Sequence, residues 1–121
     1  MDKIAKVVVD AAFKVHTTLG PGLLESVYEV CLVHELHRRG MRVDTQVALP
    51  IEYDGLMLDA ALRFDLIVED QLIVELKAVE SLLPIHMAQV MTYLKLSRCR
   101  LGLLINFNVP LIKDGIRRII L

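Results

Sequence analysis

The spacing of apolar residues changes at Gly40, and that change decides which folds are open to this chain. Upstream, Ile4, Val7, Val8, Ala11, Ala12 and Val15 recur at the interval of one helix face, so a first helix is expected over Asp2–Thr18. Gly20-Pro21-Gly22 interrupts it; this segment lacks the Lys-Ser/Thr of a phosphate-binding loop and serves to turn the chain. A second helix is expected over Leu23–Arg39, turning Leu24, Val27, Cys31 and Leu32 inward and ending at Gly40. Glu25 lies in its first turn, where the helix dipole favours an anion. Downstream of Gly40, Val43, Val47, Leu49, Ile51 and Tyr53 alternate with polar residues, which is the period of a strand. Pro50 marks an edge or a bulge, Asp54-Gly55 a hairpin turn, and further strands are expected over Leu56–Val68 and Leu72–Lys77.

Pro84 opens a third helix to Ser97, with Met87, Val90, Met91 and Leu94 as its apolar stripe. Leu101–Ile105 reads as a buried strand and Ile116–Leu121 as a last one. Strand, helix and strand in this order form a right-handed crossover, so the expected class is α/β, a mixed sheet flanked by helices. A length of 121 residues fits one domain, 1–121, and 55% hydrophobic against 24% charged residues excludes a disordered chain. Mean hydropathy is high at +0.50, yet no apolar run reaches the roughly 18–20 residues that a membrane span needs. The charged N-terminus does not read as a signal peptide, so a cytoplasmic location is expected. The surplus of apolar residues points to burial against a second copy, a homodimer.

Cys31 and Cys99 form no CxxC pair and read as packing residues. His34 and His37 stand three apart on a helix, without the HExxH pattern or a distant third ligand. The net charge of −1 conceals an asymmetry: residues 1–88 hold 8 basic and 14 acidic side chains, residues 89–121 hold 6 basic and one acidic. Lys95, Arg98, Arg100, Lys113, Arg117 and Arg118 suit either a phosphate backbone or an ordinary solvated face.

Register between the second and third strands decides the chemistry. A two-residue loop sets Asp65 opposite Val74; a three-residue loop, Glu69-Asp70-Gln71, sets it opposite Glu75. The second choice puts Phe64, Leu66 and Val68 on one face with Leu72, Val74 and Leu76, and gathers Asp65, Glu75 and Lys77 on the other, so the apolar pattern selects it. The polar trio has two readings. One is a solvent-facing sheet surface, or an Asp–Lys ion pair across two strands. The other is a divalent-cation site, in which two carboxylates supply hard oxygen ligands and a lysine two residues along reaches the attacking water or the phosphate charge.

Gly22-Leu23-Leu24-Glu25-Ser26-Val27-Tyr28 resembles the G-x-x-E-x-x-Y signature of the GxxExxY proteins, a group within the PD-(D/E)xK nuclease superfamily. Asp65, the Glu75-Leu76-Lys77 element, Gln89 to Tyr93 as Q-x-x-x-Y, and Gly102-Leu103-Leu104-Ile105-Asn106-Phe107 follow in the family's order, with Phe64 where the superfamily name has proline. The resemblance covers nearly the whole chain. It implies an αβββαβ restriction-endonuclease-like core with an extra N-terminal helix, and a nuclease that uses Mg²⁺, or Mn²⁺, on DNA in preference to RNA. In that reading Asp65 and Glu75 are metal ligands, Lys77 is the catalytic lysine, and Glu25 is an additional acidic residue. Gln89 then positions substrate or water, with Tyr93 and His86 on the same helical face. Tyr28 is expected to pack beside Glu25 and orient it, while His86 also suits a plain surface histidine. The alternative is a catalytically silent module of the same fold that binds nucleic acid or a protein partner.

Overall fold

The structure, a computed structural model, describes residues 2–121. Helices α1 (Asp2–Leu19) and α2 (Glu25–Arg38) precede strands β1 (Val43–Tyr53), β2 (Leu56–Val68) and β3 (Leu72–Lys77). Helix α3 (Pro84–Ser97), β4 (Leu101–Asn106), a 3-10 turn (Ile112–Gly115) and β5 (Ile116–Ile120) complete the chain. The five strands lie in sequence order, antiparallel except that β4 runs parallel to β3, as the crossover through α3 requires. Helices α1 and α2 cover one face and α3 the other, giving the three-layer α/β/α arrangement with two cores. Among the described residues no helix is long and apolar enough to cross a membrane.

The three-residue loop is present: Val68 pairs with Leu72 and Leu66 with Val74, which places Asp65 level with Glu75. Glu69 (φ 53°) and Asp70 (φ 55°) both take the left-handed conformation, and Gln71 N–H donates to Val68 O, so a mirror-type turn is followed by one extra residue. Pro50 sits where expected, at a register shift between Leu49 and Ile51.

Two expectations about faces need correction. Phe64 does not share a face with Leu66 and Val68: it packs beside Tyr93 in the α3 core, whereas Leu66 and Val68 lie under α1 and α2. Strand β1 makes the same crossing, with Val43 packed on the α1/α2 side and Val47, Leu49 and Ile51 on the α3 side. The cause lies level with Asp65, where Gln46 has φ 48° and breaks the two-residue alternation of the pleat. In α2 the inward residues are Tyr28, Leu32 and Leu36, a fully buried i, i+4, i+8 series. Leu24 and Val27 are exposed and Cys31 is only half-buried. Rotation of the helix is set by Tyr28, whose ring stacks on Phe107 at 4.6 Å between centroids, and that contact turns Leu24 and Val27 outward.

Candidate active site

Strand β3 pairs with β2 only from Leu66 to Val68, after which β2 continues with β1 alone. Two side chains take over the next rungs of the ladder. Asp65 N–H donates to Glu75 Oε1 at 2.6 Å, and Leu76 N–H donates to Asp65 Oδ2 at 2.8 Å. Each carboxylate therefore has one oxygen fixed by main chain, which orients the pair, and the second Asp65 oxygen, Oδ1, accepts only a long 3.5 Å bond from Gln46 Nε2. Glu75 is 6% exposed, and Asp65 is half-buried where the two strands part.

Crowding of the buried Glu75 and half-buried Asp65 and Glu29 with the exposed Glu25 has an electrostatic signature. The Glu75 carboxyl is pushed up to about 7, first by burial and then by the charge of Asp65, against the opposing pull of the Asp65 N–H and Lys77. Glu25, at the first position of α2, is raised by desolvation and by Asp65, and lowered by Lys77. Glu29, one turn on, is raised by the same two causes, and its Oε1 accepts a 2.8 Å hydrogen bond from Gln46 Nε2. On the opposite side, burial and the charges of Glu75 and Asp65 raise the Tyr93 hydroxyl. Glu25, Asp65, Glu75, Lys77 and Tyr93 thus share one electrostatic neighbourhood, with α2, β2, β3 and α3 each contributing.

Lys77 is half-buried and forms no ion pair among the described residues, although its charge is felt by Glu25 and Glu75. Its position is fixed through the main chain: its carbonyl accepts from Phe107 N–H at 2.9 Å, level with the paired Asn106. Asn106 is 1% exposed and grips Val79 on both sides, accepting from its N–H at 3.1 Å and donating to its carbonyl at 3.0 Å. The chain leaving β3 is locked by these bonds. Gly115 lies against them, and a Cβ there would stand 2.1 Å from the Asn106 carbonyl oxygen, so only glycine fits.

Tyr28 acts at longer range than expected. Its hydroxyl donates to Gly20 O at 2.6 Å and accepts from Leu23 N–H at 3.1 Å, closing the loop that launches α2 and so setting where Glu25 begins the helix. Tyr28→Phe keeps the ring stack but leaves both groups without this partner, and is expected to cost about 1–2 kcal/mol. A lowered thermal midpoint with retained helical content would report it.

The remaining predicted residues separate. Gln89 is exposed one helical turn before Tyr93, on the same side of α3. His86 has a structural use: its Nδ1 accepts Leu83 N–H at 3.0 Å, half of a capping arrangement at the start of α3. The cations of the C-terminal third do not converge on the carboxylates. Arg98 and Arg100 precede β4 at the Leu72 end of the sheet, five strand residues or about 17 Å from Lys77. Arg118 pairs with Asp2, and Arg117 binds the Asp114 and Ile116 carbonyls. Sequence reasoning gave no role to Asn106, Gln46 or Glu29. Only Asn106 carried a signal, as the one amide in a strand of otherwise apolar residues and glycine.

The donor set suits a hard divalent cation: two oriented carboxylates whose mutual repulsion a cation relieves. Among the described residues no three His, Cys, Asp or Glu side chains are gathered closely enough to form a cage, so water and phosphate oxygens would have to complete the shell.

Residues 2–119 match the sequence profile of the PD-(D/E)XK nuclease superfamily. The chain belongs to this superfamily. Its mixed sheet, flanking helices and Asp65…Glu75-x-Lys77 pattern agree with that membership. A solved structure titled "Crystal structure of SSO0001" superposes with a TM-score of 0.51 at 22% identity, covering 77% of this chain and 46% of that one. That likeness is one of fold, and the chain spans less than half the length of that protein. A search of curated proteins found no match.

Proposed function

We propose that this PD-(D/E)XK superfamily member hydrolyses phosphodiester bonds in nucleic acid, DNA in preference to RNA, with the help of Mg²⁺ or Mn²⁺. The observation that carries the reading is the Asp65–Glu75 pair, each carboxylate tethered to main chain through one oxygen, with an unpaired Lys77 two residues along β3. Asp65 and Glu75 would hold the cation, and Glu25 would join them through water. When bound, the ion supplies Lewis-acid polarisation of the phosphate and a more acidic attacking water.

The chain's own residues do the rest. Lys77 orients the attacking water and stabilises charge that develops on the phosphate. Tyr93 closes the α3 side of the cleft and excludes water from behind Glu75, and Gln89 offers an amide to substrate at the mouth. The resemblance to the GxxExxY proteins supports a role for Glu25 in the same site. The local excess of carboxylates repels phosphate until a cation is present, which makes substrate binding dependent on the metal.

The test is cleavage of plasmid and of labelled single-stranded and double-stranded oligonucleotides with and without Mg²⁺. Cleavage by the wild type that stops with chelator, and is lost in Asp65→Asn, is the expected result. Salt-sensitive binding without cleavage under any divalent cation would replace it with the silent-module reading.

A further inference from the structure

One residue inside a strand takes a conformation that its type does not favour. Gln46, within β1, has φ 48°, a left-handed backbone that strains a residue with a Cβ and suits Gly or Asn. The crossing of β1 from one face of the sheet to the other explains the conformation but not the residue, since Gly or Asn would make the same bend with less strain. Packing does not explain it either, because Gln46 is exposed. What glutamine adds at this position is a primary amide on a long stem.

That amide stands between two carboxylates from different elements. Its Nε2 donates to Glu29 Oε1 of α2 at 2.8 Å and lies 3.5 Å from Asp65 Oδ1 of β2. Ionised carboxylates only accept, and an amide nitrogen carries two hydrogens, so one group serves both neighbours. Asp65 has a use for such a partner. Leu76 N–H fixes its Oδ2 at 2.8 Å, which leaves the carboxylate free to swing about that oxygen unless Oδ1 is also held. The short bond to Glu29 aims the amide, and the long one steers Oδ1. Glu29 lies one turn after Glu25 on α2, so the same short bond ties the helix face that carries Glu25 to β1.

We propose that Gln46 is a positioning residue for the cation site: braced by Glu29, its amide holds Asp65 Oδ1 in the orientation that meets a divalent cation alongside Glu75, and the left-handed backbone at Gln46 directs the amide to that place. Carboxylates that ligate metals are themselves oriented by hydrogen bonds from groups outside the ligand set, and loss of such a bond weakens affinity by about 10–100-fold. The proposal rests on the reading of Asp65 and Glu75 as cation ligands, and it gives Gln46 no contact with the reacting atoms.

Mn²⁺ binding by the full chain, read from the loss of the free ion's electron paramagnetic resonance signal, tests the proposal together with the metal-free thermal midpoint. Gln46→Gly removes the amide and relieves the left-handed backbone, so affinity should fall by about 10–100-fold while the midpoint stays at or above that of the wild type. A glutamine that is merely structural gives the reverse, a lower midpoint with unchanged affinity. Gln46→Asn controls for a loosened backbone. Asparagine accepts the left-handed conformation and keeps an amide, but it is one methylene too short to span both carboxylates, so it should lose affinity as glycine does. The brace is tested by Glu29→Gln and Glu29→Ala, which lose the same charge. Only the first keeps an acceptor for the amide, so it should bind Mn²⁺ more tightly than the second, and that difference should vanish when residue 46 is also changed by Gln46→Gly. Wild-type affinity in Gln46→Gly or in Gln46→Asn overturns the proposal and leaves the cation site standing. Equal affinity in the two Glu29 variants overturns the bracing role. A wild type that binds no Mn²⁺ overturns the cation site, and this proposal with it.

Discussion

Lys77→Ala is expected to lower metal-dependent cleavage by about 10²–10⁴-fold, the range for removing a group that orients water or stabilises transition-state charge. Cation binding should survive, because Asp65 and Glu75 are held by main-chain N–H groups and not by the lysine. The substitution should also move the pH profile. Lys77 lowers the Glu75 and Glu25 carboxyls, so its removal raises both and carries the acid limb of any residual activity to higher pH. Loss of activity with retained Mn²⁺ affinity and a displaced acid limb distinguishes this account from general damage to the fold. Wild-type activity in Lys77→Ala would take the lysine out of the mechanism.

The second large effect is on stability. Glu75 titrates near 7 in the folded chain against 4.5 for the ordinary group. The folded state therefore binds more protons than the unfolded state between these values, and stability falls as pH rises from about 4.5 to about 7, then levels off. The shift corresponds to roughly 3 kcal/mol at pH 8. Glu25 and Glu29 are shifted the same way and add to the trend. Glu75→Gln should accordingly raise the metal-free thermal midpoint at pH 8 and flatten its pH dependence, while abolishing cation binding. A divalent cation should restore stability to the wild type at pH 8 and leave Glu75→Gln unchanged. A wild-type midpoint that does not fall from pH 5 to pH 7.5 contradicts the crowding of these carboxylates. The site thus has the character of one that trades stability for function.

What the sequence made legible depended on how local the deciding interaction was. The helices were readable because their apolar faces and the breaks at Gly20-Pro21-Gly22 and Gly40 lie within a few residues of one another. The opposition of Asp65 and Glu75 followed from alternation on either side of a short loop, although the loop reached that register through left-handed Glu69 and Asp70 and not through a glycine. The crossing of β1 and β2 from one face to the other was hidden, since it depends on a left-handed Gln46, a residue with no turn signature. The rotation of α2 was hidden for another reason. Apolar residues occur on both of its sides, and only the stack of Tyr28 on Phe107, from a strand end 79 positions away, decides which side meets the sheet. Asn106 and Gly115 hold the end of β3 through contacts that no spacing rule connects.

The account rests on Asp65 and Glu75 forming one cation site, and a calorimetric titration with Mn²⁺ at pH 6.5 in two buffers of different ionisation enthalpy tests that directly. The wild type should bind through this site and release protons as it does so, because Glu75 is largely protonated before the ion arrives and ionised afterwards. Asp65→Asn should lose that binding and its proton release together. Equal binding by both proteins, or binding by the wild type with no proton released, would contradict it.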